Sequence, residues 1–250
     1  MHAVELGAGD PVVMLHGLVV GNLASWYFTA APALAERHRV LLYDLRGHGR
    51  SERPRAGYDL ETMTDDLEQV LAERGAAGGP VTLVGHSYGA LVALRFAERH
   101  PERVERLALV EAPLLPGHAD DLLGFLKLPE DSMIDALPAD LRGALAQGGR
   151  RARRLLDGLL GLALETTLLA DLAATRPPPD EALAGLTCPV MAVYGTASAC
   201  LPGAHRVRAL LPHARVEQLA GGHYLPLEKP AELSALLVDF TCAPPGATHG

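Results

Sequence analysis

The feature that most constrains this fold is the segment Val81-Thr-Leu-Val-Gly-His-Ser-Tyr-Gly-Ala90. A β-branched, apolar run leads into Gly85-x-Ser87-x-Gly89, and a helical pattern follows at once. This order predicts a strand, a very tight turn with a serine at its apex, and a helix. The positions two before and two after the serine must lack bulk, because the strand and the helix nearly touch there. Both positions are glycine.

A turn of this kind is a nucleophile elbow, and Ser87 is its apex. The apex residue usually takes a backbone conformation that residues other than glycine avoid. The strain projects the hydroxyl clear of the sheet, and the helix N-terminus faces any negative charge that develops. A serine at a helix start often only caps the helix. The flanking glycines favour the other interpretation, with Ser87 as the nucleophile.

Length and charge set the limits on function. A chain of 250 residues can form one large α/β domain with an insertion. With a net charge of −8 and no basic stripe on a nucleic-acid motif, we expect no nucleic-acid partner. Three cysteines without metal-ligand spacing indicate a reducing compartment and no metal site. Without a leader pattern or an apolar run of membrane-spanning length, we expect a cytoplasmic location and no membrane partner.

Short apolar runs alternate with helical patterns, which predicts a mostly parallel sheet covered by helices on both faces. The predicted strands lie near 2–6, 11–15, 38–43, 80–85, 105–111, 189–194 and 214–219. The predicted helices lie near 22–36, 59–74, 88–99, 203–211 and 229–241. Residues 243–250 are rich in Pro and Gly and are predicted to be a flexible tail.

Residues 113–186 interrupt the alternation. They contain successive amphipathic helical patterns separated by prolines, and they lack a convincing strand. An all-helical block between two strands is best explained as a cap over the carboxyl edge of the sheet, where ligands bind in open α/β folds. Residues 1–112 and 187–242 are therefore predicted to be the core, and 113–186 the cap.

Three further segments complete a family resemblance. His16-Gly-Leu18 follows a strand, Asp44-Leu-Arg-Gly-His-Gly-Arg-Ser51 follows the next, and Gly222-His-Tyr-Leu-Pro226 precedes the last helix. With the elbow, they make the chain resemble the α/β-hydrolase fold superfamily almost from end to end. That resemblance implies a mostly parallel α/β sheet flanked by helices. Only fifteen residues precede His16, so we expect the family's first edge strand to be absent and the sheet to have about seven strands rather than eight.

The resemblance also implies roles. His223 would be the general base that takes the Ser87 proton, in the order serine, acid, histidine. The backbone N–H groups of Leu18 and Tyr88 would form the oxyanion hole. The histidines inside the other motifs, His16, His48 and His86, are expected to make local hydrogen bonds instead.

The acid of the triad departs from the family pattern. Family members commonly place an Asp three residues beyond the glycine that closes the strand matching 190–194, but Ser198 stands there. No Asp or Glu occurs between Pro189 and Arg215. Glu111 ends a buried strand, and some relatives, among them one group of haloalkane dehalogenases and certain lipases, take the acid from this strand end. We therefore favour Glu111 over Asp44, although an acidic residue there could also cap the next loop.

Four residues are candidates for the substrate pocket. Trp26 and Tyr27 open the first helix and could line the pocket or only pack beneath it. Arg150 and Arg151 begin the basic cluster Arg150-Arg-Ala-Arg-Arg154 of the predicted cap. A solvated helix face is the simpler interpretation of that cluster. The alternative is an anchor for a substrate carboxylate or for the phosphate of a pantetheine arm, as in a thioester on coenzyme A or a carrier protein.

A serine nucleophile narrows the chemistry. Epoxide hydrolases and dehalogenases of this fold attack with an Asp carboxylate, whereas a serine would form an ether that goes no further. Acyl transfer remains, and the first hypothesis is a hydrolase of carboxylic esters or thioesters with a small or medium acyl group. The second is an acyltransferase or cyclising thioesterase, and the third is a binding protein without turnover, suggested by Ser198. No cofactor is implied, because the turn at 75–80 precedes a strand.

Overall fold

The computed structural model describes residues 1–18, 21–116, 123–136 and 150–243, without the side chains of residues 130, 136, 151, 152 and 155. Within these ranges the central element of the fold is a seven-stranded sheet. Its strands are β1 (Ala3–Leu6), β2 (Pro11–Leu15), β3 (Arg39–Tyr43), β4 (Val81–His86), β5 (Val104–Val110), β6 (Val190–Gly195) and β7 (Arg215–Leu219). They pair in the order β1-β3-β2-β4-β5-β6-β7, and only β1 is antiparallel to its neighbour.

Helices cover the sheet. They are α1 (Ala24–Tyr27), α2 (Ala31–Leu34), α3 (Leu60–Glu73), α4 (Tyr88–Arg99), α5 (Glu130–Ala136), α6 (Arg150–Glu165), α7 (Leu168–Ala174), α8 (Asp180–Ala184), α9 (Pro202–Leu210), α10 (Leu225–Glu228) and α11 (Pro230–Cys242), with a 3-10 turn at Pro101–Arg103. At the start of α3 the Asp59 side chain accepts the Thr62 N–H at 2.9 Å, which caps the helix. No described helix combines the length and the apolar character needed to cross a bilayer.

The sheet divides the apolar interior in two. Successive side chains of a strand point to opposite faces, so Val13 and Leu15 join one core cluster while Val12 and Met14 join the other. Every residue of β4 and of β6 is buried, as expected for central strands that are covered on both faces. The central strands thus form a buried frame from which the loops at their carboxyl ends extend.

The register of this frame brings three loops together. Gly85 of β4 lies opposite Leu109 of β5, and Leu109 lies opposite Ala192 of β6. Because the three strands are parallel neighbours, the residues that follow them meet at one edge of the sheet. Ser87 and Glu111 therefore lie at this edge, and the loop after Gly195 begins there.

The fold class and the number of strands are confirmed. The predicted helix at 22–36 is instead two short helices, α1 and α2. Pro32 lies in the first turn of α2 and has no N–H to donate, so a helix could not run through it unbroken. Helix α10 follows His223 and was not predicted.

The described part of the 113–186 segment contains helices and no strand. It contacts the loop before α3, because the Tyr58 N–H donates to Asp171 and the Thr167 N–H donates to the Arg55 carbonyl, both at 2.9 Å. Arg206 of α9 donates to the Leu114 carbonyl near one end of the segment and, at 2.6 Å, to the Pro178 carbonyl near the other. The division into core and cap stays a prediction, and residues 244–250 of the predicted tail lie outside the described residues.

Candidate active site

Ser87 lies in the tight turn between β4 and α4. Its φ of 52° and ψ of −120° are unusual for a residue with a side chain, and its N–H donates to the Val110 carbonyl at 2.8 Å. A Cβ on Gly85 would lie far inside contact distance of the Ala90 Cα. A Cβ on Gly89 would lie 2.8 Å from the Leu15 carbonyl oxygen. Gly85 thus allows helix α4 to pack closely against β4, and Gly89 allows α4 to pack closely against the end of β2.

The His223 ring lies against Ser87. Its Nε2 is 2.9 Å from Ser87 Oγ, and the side chain is 32% exposed. Two bonds fix the loop: His86 Nε2 donates to the His223 carbonyl at 2.8 Å, and Glu228 of α10 accepts the Gly222 N–H at 2.5 Å. The ring is therefore held within hydrogen-bond reach of a hydroxyl 136 positions earlier in the chain.

Glu111 completes the chain of contacts. Its Oε2 lies 3.2 Å from His223 Nδ1, and the residue is 0% exposed. Apart from glycines, only Ser87 and Glu111 have a positive φ among the described residues, at 52° and 55°. Backbone strain concentrated at two residues that share one histidine is typical of a functional site.

The Glu111 carboxylate has three hydrogen-bond donors. The Gly195 N–H donates to Oε1, and the Ser198 hydroxyl donates to Oε2, the oxygen that also faces His223. An ionised carboxylate taken out of water is costly unless such donors replace the water. The Ser198 Oγ in turn accepts the Cys200 N–H at 3.1 Å, which holds the hydroxyl in place.

The other histidines of the motifs brace the loops around the site. His16 Nδ1 donates to the Gly17 carbonyl at 2.8 Å, and its Nε2 accepts the Leu45 N–H at 3.0 Å. Burial, with a smaller effect of His48, lowers the pKa of His16 to about 3. Burial, with a smaller effect of His223, likewise lowers the pKa of His86 to about 3. Both rings are neutral at pH 7 and act as structural braces.

Asp44, the alternative acid, forms hydrogen bonds with residues of its own and neighbouring loops. Its carboxylate accepts the Leu23 N–H and the Arg50 N–H, both at 2.9 Å, and it lies 2.9 Å from His2 Nδ1. These partners hold the loop after β3 against the loop before α1.

The oxyanion-hole prediction concerns backbone groups. Gly17 packs directly against the elbow, since a Cβ on Gly17 would lie 3.0 Å from Ser87 Cβ, and Leu18 follows it. Tyr88 is the first residue of α4, where N–H groups have no carbonyl partner within the helix. Their roles toward a substrate stay predictions.

The predicted pocket residues are dispersed. Trp26 is 0% exposed and donates its indole N–H to the Leu15 carbonyl at 3.0 Å, so the pocket-lining alternative is wrong and Trp26 packs in the core. Tyr27 is half-buried, with its ring edge-on to the exposed Phe28. Arg150 is exposed at the start of α6, and the side chain of Arg151 lies outside the described residues.

Two residues near the triad were not assigned a role from the sequence. In the sequence, Ser198 stands out only as the residue at the family's acid position, and no local pattern indicates that its hydroxyl contacts Glu111. Cys200 lies two residues further on. Its Sγ, a Glu111 carboxylate oxygen and a His223 ring nitrogen all lie within 4.8 Å of one another, which makes this trio the group of described residues that could hold a metal ion.

Comparison with known proteins identifies relatives of this chain. A family model described as the alpha/beta hydrolase fold matches residues 10–133. A soluble epoxide hydrolase of Corynebacterium sp. strain C12 is 40% identical over 119 residues, which are 47% of this chain and 39% of that protein. The dihydrolipoyllysine-residue acetyltransferase component of the acetoin cleaving system of Cupriavidus necator is 31% identical over 94% of this chain and 64% of its own length.

A solved structure extends the likeness over the whole fold. The enol-lactonase of Burkholderia xenovorans LB400 superposes with a TM-score of 0.78 at 22% identity, covering 97% of this chain and 96% of that one. At that identity the likeness concerns the fold.

Proposed function

The chain belongs to the α/β-hydrolase fold superfamily and is an enzyme of that type, and on this premise we propose that it cleaves a carboxylic ester or thioester through an acyl-enzyme on Ser87. The observation that carries the proposal is the contact of Ser87 Oγ with His223 Nε2 at 2.9 Å, while Nδ1 of the same ring faces Glu111. A nucleophile, a base and a group that orients the base stand in one line.

In the acylation step, the Ser87 hydroxyl gives its proton to His223 Nε2 as Oγ attacks the carbonyl carbon of the substrate. The ring becomes an imidazolium, and the negative charge of Glu111 stabilises it. The Leu18 and Tyr88 N–H groups would donate hydrogen bonds to the substrate oxygen, on which negative charge develops. His223 then protonates the leaving alcohol or thiol, and the acyl group stays on Ser87.

In the second step, His223 takes a proton from water, and the resulting hydroxide attacks the acyl-enzyme. The ester bond to Ser87 breaks, the proton returns to Oγ, and a carboxylic acid leaves. No redox cofactor is required in either step. A leucine-rich and alanine-rich segment at 113–186 supports an apolar acyl group of small or medium size.

Epoxide hydrolysis, the activity in the name of the Corynebacterium relative, fits these residues poorly. Opening an epoxide with Ser87 Oγ would leave an ether, and a histidine-activated water does not cleave an ether. The same attack on an ester or thioester gives an acyl-enzyme that water does cleave. The residue at the elbow therefore favours acyl chemistry.

Acyl transfer is the second candidate. The Cupriavidus relative, named as an acetyltransferase component, favours it, and an alcohol, amine or thiol would then replace water in the second step. A cyclising thioesterase is the intramolecular form of the same reaction. An acyl group carried on coenzyme A or a carrier protein suits either candidate, and exposed Arg150 would then contact its phosphate. The cytoplasmic location and the absence of nucleic-acid and membrane partners stay predictions.

A fluorophosphonate probe tests the proposal. We expect rapid labelling of one residue in the natural chain and none in Ser87→Ala, with the exposed Ser132→Ala as the matched control that labels normally. Turnover of p-nitrophenyl esters and acyl-CoA thioesters, followed with and without a competing amine, then separates hydrolysis from transfer. An inert Ser87 in a folded protein would support the binding protein instead.

A further inference from the structure

We propose that Glu111, Cys200 and His223 form a binding site for a thiophilic divalent cation, zinc in particular, and that an ion bound there switches the enzyme off. The inhibition rests on the proposed function, whereas the binding does not. The sequence shows no metal-ligand spacing, since the three residues are far apart along the chain. The ends of β5 and β6 and the loop after β7 bring them together.

The distances suit zinc. With ligands at about 2.0 to 2.3 Å, the ligand atoms of a tetrahedral zinc site lie about 3.4 to 3.6 Å apart. Glu111 Oε2 and His223 Nδ1 are already 3.2 Å apart. The Cys200 Sγ lies within 4.8 Å of a Glu111 carboxylate oxygen and of a His223 ring nitrogen, so a movement of about 1 Å brings it to the distance expected between two zinc ligands. Water would take the fourth position.

The chemistry of the three donors selects the ion. A thiolate, an imidazole nitrogen and a carboxylate oxygen suit zinc, whereas magnesium and calcium prefer oxygen ligands alone. The thiolate and the carboxylate together neutralise the charge of the ion. Binding would release the Cys200 thiol proton.

The surroundings also support the site. Gly195 and Ser198 already donate to the Glu111 carboxylate and would orient it toward an ion. Glu111 is 0% and Cys200 5% exposed, so the donors stand out of bulk water. The His223 side chain is 32% exposed, so an ion from solvent would reach the site past this side chain.

An ion at Nδ1 would stop the reaction through the tautomer of His223. A neutral imidazole has one proton, and an ion on Nδ1 leaves that proton on Nε2. Nε2 then donates to Ser87 Oγ and cannot accept its proton. The ion would also take the carboxylate that stabilises the imidazolium. Both effects remove the base without disturbing Ser87 itself.

Zinc titration by calorimetry tests the site directly. The Ser87→Ala variant of the whole chain is titrated with zinc, so that catalysis does not contribute to the measured heat. We expect one tight equivalent. Cys200→Ala and Cys200→Ser should each weaken it at least tenfold, while the matched control Cys188→Ala, another buried cysteine, should not. With Co²⁺ as the probe, a thiolate-to-metal charge-transfer band should appear and be lost in both Cys200 variants.

Inhibition is measured next in the chain with Ser87 intact. For each variant, the rate of ester turnover with zinc is divided by its rate without zinc. In the natural chain this ratio should be one tenth or less and should return to about one when a chelator is added. In Cys200→Ala the ratio should stay near one. Absence of a tight equivalent, or equal binding by folded Cys200 variants, overturns the proposal. Turnover unaffected by a bound equivalent overturns the inhibition. If the chain turns over no ester and takes no fluorophosphonate, the proposed function fails while the calorimetry still decides the site.

Discussion

The Ser198 hydroxyl donates to Glu111 Oε2, the same carboxylate oxygen that faces His223 Nδ1 at 3.2 Å. The serine occupies the position where relatives commonly place the acid, and the acid stands at the end of the neighbouring strand. The residue at that position and the carboxylate at the end of the neighbouring strand are thus in direct contact. Because Ser198 contacts the carboxylate that faces His223, a positioning role for Ser198 is a testable alternative to lost activity.

Replacing Ser198 with Ala should lower kcat about tenfold with little change in KM. The variant removes one donor from a buried carboxylate, a bond of about 1.5 to 3 kcal/mol, and leaves Glu111 freer to turn away from His223. Steady-state kinetics on one ester measures the effect. Thr196→Ala, an exposed hydroxyl of the same loop, is the control and should behave normally. Equal kinetics in both variants would deny Ser198 any positioning role.

Replacing Glu111 with Gln should reduce kcat by about ten-thousandfold, the loss seen when the acid of another serine triad becomes an amide. The amide keeps the shape of the side chain but gives the imidazolium no negative charge. Rapid-mixing or long-time assays measure the residual rate, and circular dichroism checks the fold. Glu105→Gln, an exposed residue of the same strand, is the matched control. A near-normal rate in Glu111→Gln would remove this residue from the triad.

Replacing Gly85 with Ala should destabilise the fold by about 3 kcal/mol. The new methyl group would meet the backbone of Gly89 and Ala90, and backbone atoms cannot move aside as a flexible side chain can. The midpoint of urea unfolding measures the loss. Gly78→Ala is the control, since a Cβ there meets nothing within 4 Å. An unchanged midpoint for Gly85→Ala would contradict the close approach at the elbow.

Acidification should destabilise the fold between about pH 6.5 and pH 3. The unfolded chain takes up a proton on His16 near its ordinary pKa of 6.5, whereas burial holds the folded pKa at about 3. The unfolded state therefore binds more protons in this window, and the free energy of unfolding falls as the pH falls, by up to about 1.4 kcal/mol per pH unit for each such histidine. His86 acts in the same direction.

Urea unfolding at pH 7, 6, 5 and 4 measures this slope. His16→Gln should flatten it, because an amide offers the same kind of hydrogen bonds and does not titrate in this range. The exposed His213→Gln is the control and should leave the slope as it is. A slope that is equally steep in His16→Gln would show that this ring does not stay neutral in the folded protein.

The local patterns of the sequence predicted the strands of the sheet and the tight turn that carries Ser87. Alternating strand and helix patterns placed all seven strands, and the glycines around Ser87 required the tight turn, because backbone sterics act over a few residues. The position of Glu111 near Ser87 followed from strand order, since the carboxyl ends of neighbouring parallel strands meet at one edge. The choice of Glu111 as the acid and of His223 as the base also required the family resemblance.

Only the tertiary structure decided how the side chains meet. Nothing local to Ser198 shows that its hydroxyl reaches a carboxylate 87 positions away, or that Cys200 lies near both Glu111 and His223. Trp26 could line a pocket or fill the core until the Leu15 carbonyl was seen to accept its indole N–H. The physical reason is common to these cases. A sequence pattern specifies the direction in which a backbone runs, whereas a side-chain contact depends on the packing of segments that are distant in the chain.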